Sequence, residues 1–269
     1  MNSSDLLHIR ILAVEQIYPF ETATDESDSS PDDDLRLVRD PFPVVAISEQ
    51  GFLLLQDTDR FQSVVRAGLI HVPVQVVREP ALKLCCETLS LPGLESDDLM
   101  AVARRNQDDI IPARPDQGVP DGYYPVYVRF ASGDSTALFL RHSAGIGCPE
   151  GLTRLFAEIG GSGRYLPLVE TSSRHDQLLK GGGSDTTLTI PGFAIADLRM
   201  AAAAGELFPA HVIRVVPDCR VLAIDFPASV LKADIPLEEK QAFLHDLIAL
   251  REQANRTSIV EGRVYILNR

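Results

Sequence analysis

The sequence has 269 residues, 45% of them hydrophobic, which is enough for a soluble globular chain with one large core or two modest ones. The formal net charge of −13 argues against nucleic acid as the main ligand, because binding to the phosphate backbone needs clustered Lys and Arg. No apolar run approaches about 18 residues and no signal-like leader is visible, so we expect a cytoplasmic protein without a membrane span. The four cysteines lack CxxC spacing, which favours reduced structural thiols over metal ligands.

The first predicted strand covers residues 8–14, and the chain then turns at Pro19 and reaches Glu21. Residues 22–34 are dense in Ser and Asp, which is typical of a surface loop. From this pattern alone, Glu21 is either one more solvated acid or a carboxylate held at a site.

Residues 40–77 predict the order strand, turn, strand, loop, helix, turn and strand. The polar loop 56–60 follows the apolar run FLLL and opens a short helix, and Gly68 fits the left-handed residue that closes it. Residues 72–77 return as a strand. A loop that ends a buried strand and begins a helix presents backbone N–H groups to solvent, so this one is a candidate phosphate site.

The rest of the chain predicts further helices and strands, with Gly205 as the stop signal of an Ala-rich helix. The predicted helices are 97–106, 151–159, 194–205 and 236–254. The predicted strands are 127–130 and 137–140, which form a hairpin, and 211–216, 219–226 and 263–267.

The segments DPFPVV, GFLLLQDTDRF and AGLIHVPVQVV occur in the order and at the spacing of a known module. They resemble the ParB/sulfiredoxin-like fold. This module is shared by ParB nucleases, partition proteins, sulfiredoxins and free-serine kinases. The module alone therefore does not indicate which function the chain has.

The second half narrows the resemblance. The segments LFAEIGGSGRYLPLVE, GELFPAHVIR and RVYIL are similar to the second half of free L-serine kinases, in the branch that supplies O-phosphoserine to diaminopropionate and siderophore pathways. This resemblance implies an α+β fold in which a ParB/sulfiredoxin-like nucleotide-binding module, residues 1–80, is packed on a C-terminal α/β substrate-side domain, residues 81–269. It also implies ATP or ADP with Mg²⁺, and a small amino acid as the acceptor.

The resemblance assigns a role to each matching residue in the first half. Glu21 corresponds to the glutamate that deprotonates the serine hydroxyl, although the preceding family histidine is Phe20 here. The nucleotide-phosphate loop D-G-x-H-R becomes, in this chain, Gln56, Asp57, Thr58, Asp59 and Arg60. Only its arginine is retained, unless a one-residue slip lets Asp57 replace the lost aspartate.

On the substrate side, the family pattern P-x-x-x-T-R corresponds to residues 209–214. Arg214 is retained, Ile213 replaces the threonine hydroxyl, and His211 is a further candidate substrate contact. We expect the two halves to pack over one cleft, with Glu21 and Arg60 facing Arg214.

The altered phosphate loop has two expected consequences. Asp57 and Asp59 add negative charge where phosphate would bind, unless Mg²⁺ bridges them. Aspartate in the place of glycine is also expected to remove the freedom to adopt positive φ.

Three hypotheses therefore stand. The chain is a kinase of free L-serine or a similar amino acid, or a catalytically degenerate relative that binds a ligand and regulates a biosynthetic cluster, or a DNA-binding ParB-like protein or nuclease. The acidic charge makes the third the weakest, and a homodimer is compatible with all three.

Overall fold

The computed structural model of the protein describes residues 8–23, 36–48, 51–86, 88–91, 93–141, 150–160, 166–167, 185–190, 192–210, 212–254, 257–260 and 264–267. These residues form a mixed α+β fold. None of the helices within these ranges has the length and apolar character that crossing a membrane requires.

The strands are, in chain order, β1 Ile9–Ala13, β2 Ile17–Pro19, β3 Leu37–Val38, β4 Phe42–Ala46, β5 Phe52–Leu54, β6 His71–Val76, β7 Leu82–Cys86, β8 Thr88–Leu91, β9 Ile110–Ala113, β10 Tyr123–Arg129, β11 Ser135–Arg141, β12 Leu166–Pro167, β13 Thr186–Thr189, β14 Ile213–Pro217, β15 Arg220–Leu222, β16 Phe226–Pro227, β17 Thr257–Val260 and β18 Val264–Leu267. The helices are α1 Thr58–Arg66, α2 Ser96–Arg105, α3 Glu150–Gly160, α4 Ile195–Ala204, α5 Ala228–Lys232 and α6 Leu237–Gln253.

The chain divides into two compact units. The first unit contains Met1–Lys83 together with Val215–Arg269, and the second unit contains Leu84–Arg214. The chain passes from the first unit to the second between Lys83 and Leu84. The C-terminal segment, however, belongs with the N-terminal one, because its apolar side chains complete the core of the first unit.

The first unit is built on a five-stranded mixed sheet in the order β1-β6-β4-β5-β2. Its core draws on both segments of the chain, with Val44, Leu54 and Val74 packed in one cluster with Phe226 and Leu244. Helix α1 connects β5 to β6, which gives the predicted strand, loop, helix and strand order.

Hydrogen bonds of the Gln241 and Gln75 side chains help to fasten the C-terminal segment to this sheet. The Gln241 side chain on α6 accepts a hydrogen bond from the backbone N–H of Ile11 on the edge strand β1, at 2.8 Å. The buried amide of Gln75 on β6 donates to the carbonyl of Cys219 at 3.1 Å and accepts from the N–H of Val221 at 3.0 Å. Gln75 thus pairs with the backbone of β15 as a neighbouring strand would.

The second unit is built on a six-stranded antiparallel sheet in the order β12-β8-β13-β10-β11-β9. The expected hairpin is present in this sheet, because β10 and β11 pair from Tyr123 opposite Arg141 to Arg129 opposite Ser135. Helix α3 packs on β11 through Gly151, where an added Cβ atom would lie 3.0 Å from the Leu140 Cβ atom.

The predicted strand 219–226 is wrong in its middle. Strand β15 ends at Leu222, and β16 begins at Phe226. Between them Ala223 and Asp225 have positive φ angles of 57° and 43°, which extended backbone does not allow. In contrast, Gly68 and Gly205 close α1 and α4 with φ angles of 76° and 72°, as predicted.

Candidate functional site

Glu21 lies just beyond β2, which pairs in parallel with β5. Pro19 is opposite Leu54 in this pairing, so the residues after β2 and those after β5 leave the sheet at the same edge. Glu21 is only 9% exposed, and it accepts a hydrogen bond from the Thr58 hydroxyl at 3.2 Å. The carboxylate that the resemblance assigns as base is therefore buried beside the first residue of α1.

Thr58 and Asp59 form the first turn of α1. Thr58 is buried, which fixes its hydroxyl toward Glu21. The Asp59 carbonyl accepts a hydrogen bond from the Ser63 hydroxyl at 2.9 Å. An acid in the first turn is favoured by the positive end of the helix dipole.

Asp57 is the residue before α1 and adopts the left-handed conformation, with φ 66° and ψ 35°. The expectation that aspartate would prevent positive φ is therefore wrong, and the reason is that Asp tolerates this region better than most residues with a Cβ. Its carboxylate makes no capping hydrogen bond to the helix backbone. Instead it turns toward two arginines.

Gln56 and Arg220 hold the loop to the C-terminal segment. The Gln56 side-chain amide donates to the carbonyl of Val215, and its oxygen accepts from Arg220 Nη1. Arg220 Nη2 donates to Asp57 Oδ2 at 3.3 Å. Sequence reasoning missed Arg220, because it lies 163 residues beyond Asp57 and no motif marks it.

Arg60 is held by two hydrogen bonds and a cation–π contact. Its Nη1 donates to the Asp40 carbonyl at 2.9 Å, and its Nη2 donates to Asp57 Oδ2 at 3.0 Å. Its guanidinium also lies 4.2 Å from the centroid of the Phe42 ring, in cation–π geometry. Burial lowers the pKa of Arg60 from its ordinary value, and the Asp57 and Asp40 carboxylates oppose this shift. The guanidinium keeps its charge, since arginine is not deprotonated in proteins.

Asp40 connects the site to the turn between β15 and β16. Its Oδ1 accepts the N–H of Ala223 at 2.6 Å, and the Asp225 N–H donates to the carbonyl of Arg39 at 3.0 Å. Arg251 on α6 donates to the Ala223 carbonyl at 2.7 Å. These bonds hold the left-handed turn that separates the two strands.

A second polar pair lies in the first unit, apart from the predicted site residues. Lys240 is fully buried, and its Nζ donates to the Leu231 carbonyl at 2.8 Å and lies 3.2 Å from His71 Nδ1. Burial lowers the pKa of Lys240, opposed by Asp234. Burial and then the charge of Lys240 lower the pKa of His71, opposed by Glu15.

The two predicted substrate-side residues are Arg214 and His211. Arg214 is an exposed residue of β14 at the end of the second unit. His211 lies outside the described residues. Their roles in substrate binding remain predictions. Within the described ranges, no group of three or more His, Cys, Asp and Glu side chains is arranged to hold a metal ion.

Neither a protein-family model nor a curated protein sequence matches this chain. Solved structures do match it, and they define its class of fold as that of SbnI and the free serine kinase. The match to SbnI with a C-terminal truncation, from Staphylococcus aureus, has a TM-score of 0.73 and 15% sequence identity, over 93% of this chain and 99% of that one.

The free serine kinase structures match over a somewhat shorter range. A mutant enzyme in complex with ADP has a TM-score of 0.63 and 10% identity, over 83% of this chain and 94% of that one. The enzyme in complex with AMP has a TM-score of 0.62 and 12% identity, over 83% and 93%. At sequence identities this low, the matches show that the folds are similar.

Proposed function

We propose that the protein is a nucleotide-dependent kinase of free L-serine, or of a similar small amino acid, which forms O-phosphoserine for siderophore or diaminopropionate biosynthesis. The observation that carries the proposal is the position of Glu21. Its buried carboxylate lies 3.2 Å from the hydroxyl of Thr58, a residue of the proposed phosphate loop and the first residue of α1. The fold shared with a free serine kinase solved with ADP and with AMP supports the same conclusion.

In the proposed reaction Glu21 accepts the proton of the substrate hydroxyl. The hydroxyl oxygen bonds to the terminal phosphorus of the nucleotide, and the bond from that phosphorus to the bridging oxygen breaks. Such a reaction depends on positioning and on neutralising the charge of the phosphoryl group. We propose that the phosphoryl group is positioned and its charge neutralised by the backbone N–H groups at the start of α1 and by the Arg60 guanidinium. The amino acid is proposed to be held by Arg214 and His211.

Mg²⁺ is proposed to enter with the nucleotide. In phosphoryl-transfer sites this ion is held mainly by substrate phosphates and water, with one or two protein carboxylates. Asp59 is the loop carboxylate proposed for this role, because the Asp57 carboxylate contacts Arg60 and Arg220 instead. Bound there, Mg²⁺ would neutralise charge on the transferred phosphoryl group.

One observation favours the alternative, a degenerate relative that binds a ligand and acts as a regulator. The polar side chains of the loop are already engaged within the protein. The nitrogen and the oxygen of the Gln56 side-chain amide both make hydrogen bonds, and the Asp57 carboxylate accepts hydrogen bonds from two arginines. A loop held by these internal hydrogen bonds keeps its conformation whether or not the protein catalyses a reaction.

A turnover assay separates the two. The purified full chain is incubated with Mg²⁺, either ATP or ADP, and each member of an amino-acid panel, and phosphorylated amino acid is measured by mass spectrometry. The kinase proposal expects phosphoserine, or one close analogue, that depends on both substrates. Nucleotide binding in calorimetry without amino-acid-dependent turnover would favour the regulator.

A further inference from the structure

One carboxylate oxygen serves two guanidinium groups at the phosphate loop. Asp57 Oδ2 is 3.0 Å from Arg60 Nη2 and 3.3 Å from Arg220 Nη2. A carboxylate commonly meets one arginine with two oxygens, in a bidentate pair. Here a single oxygen is shared, so neither arginine has that stronger geometry with Asp57.

Two carboxylates lie near the two arginines, but Asp57 is the one that contacts both of them. Asp57 contributes one negative charge between them. The Asp40 carboxylate lies 3.9 Å from Arg60 Nη1, and one of its oxygens already accepts the Ala223 N–H. The remaining partner of Arg220 described at the loop is the neutral amide of Gln56. Arg220 also lowers the pKa of Arg60, after burial as the larger cause, as expected for two like charges held close together.

The arrangement can be reached from solvent and can open. The Asp57 side chain is 36% exposed, and those of Arg60 and Arg220 are 32% and 16% exposed. Asp57 makes no capping bond to α1, so its carboxylate can swing into water without uncapping the helix. A phosphate has three terminal oxygens and a larger charge, and it can give each arginine its own acceptor.

We propose that Arg60 and Arg220 form a two-arginine clamp for nucleotide phosphate, and that the Asp57 carboxylate is the internal anion which the phosphate displaces. Arg220 is thereby a phosphate-binding residue of this chain, beyond those assigned by resemblance. The inference rests on the proposed nucleotide site, and it holds whether or not the phosphate is then transferred.

The test uses the full chain and measures affinity for adenosine, AMP and ADP by calorimetry at one ionic strength, with and without Mg²⁺. Asp57→Asn keeps the shape of the side chain and tolerates left-handed backbone, and Asp57→Gly suits the φ of 66° without any side chain. Either variant removes the competing anion. We expect affinity for ADP to rise on the order of tenfold, affinity for AMP to rise less, and affinity for adenosine to stay unchanged.

Two further variants make the result specific. Asp246→Asn removes the same charge from the exposed surface of α6, and we expect it to change no affinity by more than about twofold. Arg220→Met removes one arm of the clamp, and we expect ADP affinity to fall on the order of tenfold or more, with partial recovery in Arg220→Lys. Thermal melts identify a variant that fails to fold, in which case the two Asp57 variants decide alone.

The outcomes distinguish this inference from the proposed function. Unchanged or weaker ADP binding in both Asp57 variants, with a wild-type protein that binds ADP, overturns the clamp and leaves the nucleotide site standing. An equal gain for adenosine and ADP also overturns it, because a loosened loop would explain that result. Binding by the Asp57 variants but not by wild type supports the clamp in its strongest form. If no variant binds any nucleotide, the proposed function and the clamp both fail.

Discussion

Replacing Gln75 by methionine tests how the C-terminal segment is held to the central sheet. The side chain is 5% exposed, and its amide satisfies two backbone groups, the Cys219 carbonyl and the Val221 N–H. Methionine has a similar length and offers neither bond. Leaving the buried Val221 N–H without this acceptor costs about 1–3 kcal/mol, and losing the bond to the half-buried Cys219 carbonyl adds about 1 kcal/mol. The additional apolar contact of methionine offsets roughly 1 kcal/mol, so we expect a net loss near 2 kcal/mol.

Urea denaturation followed by circular dichroism measures this loss. The midpoint should fall while the dependence on urea stays unchanged, because the surface exposed on unfolding is the same. Gln253→Met is a matched control, since Gln253 is exposed at the end of α6 and its replacement should change stability by no more than about 0.5 kcal/mol. A loss below about 1 kcal/mol for Gln75→Met would refute the reasoning, because β15 would then not depend on this amide.

Two further predictions concern Glu21 and His71. Glu21→Gln should keep the fold and the nucleotide affinity, because the amide oxygen can still accept the hydrogen bond from Thr58, but it should lower phosphoserine formation by ~10²- to 10⁴-fold. The control variant Glu15→Gln, at an exposed position, should retain turnover. An active Glu21→Gln enzyme would exclude Glu21 as the base. Lys240→Met should raise the pKa of His71 in an NMR titration, because it removes one of the two causes that lower it, whereas Glu15→Gln should lower it further. A folded-state pKa below the ordinary 6.5 means that the unfolded chain binds the proton more readily, so stability is present above that pH and is lost as pH falls toward the folded-state pKa. Lys240→Met should lessen this acid loss, and an unshifted His71 titration would show that the Lys240 charge does not act on the ring.

The local parts of the fold could be predicted from the sequence. Helix α1 follows from its apolar spacing and from Gly68, and α4 follows from its alanines and Gly205, because each signal lies within the element itself. The break at Ala223 and Asp225 could not be predicted, since neither residue is a glycine and the turn is held by distant partners.

The candidate site shows the same division. Resemblance pointed to Glu21 and to the loop, and the hydrogen bond between Glu21 and Thr58 needs the parallel pairing of β2 with β5, which no local pattern reveals. Arg220 was missed because its contacts with the loop exist only after the C-terminal segment packs against the N-terminal one. Long-range contacts of this kind leave no periodic signature.

The division of the first unit between both ends of the chain has a consequence for synthesis on the ribosome. Chains emerge from the N-terminus at roughly 5–20 residues per second, and domains generally fold as whole units. Residues 84–214 are then complete before the first unit can be, although they follow its opening strands. Until residues 215–269 emerge, Gln75 and the apolar face that will meet Phe226 and Leu244 lack these partners. For several seconds the nascent protein therefore carries a sheet whose apolar face is only partly covered, which is the stage at which a chaperone would be most useful to it.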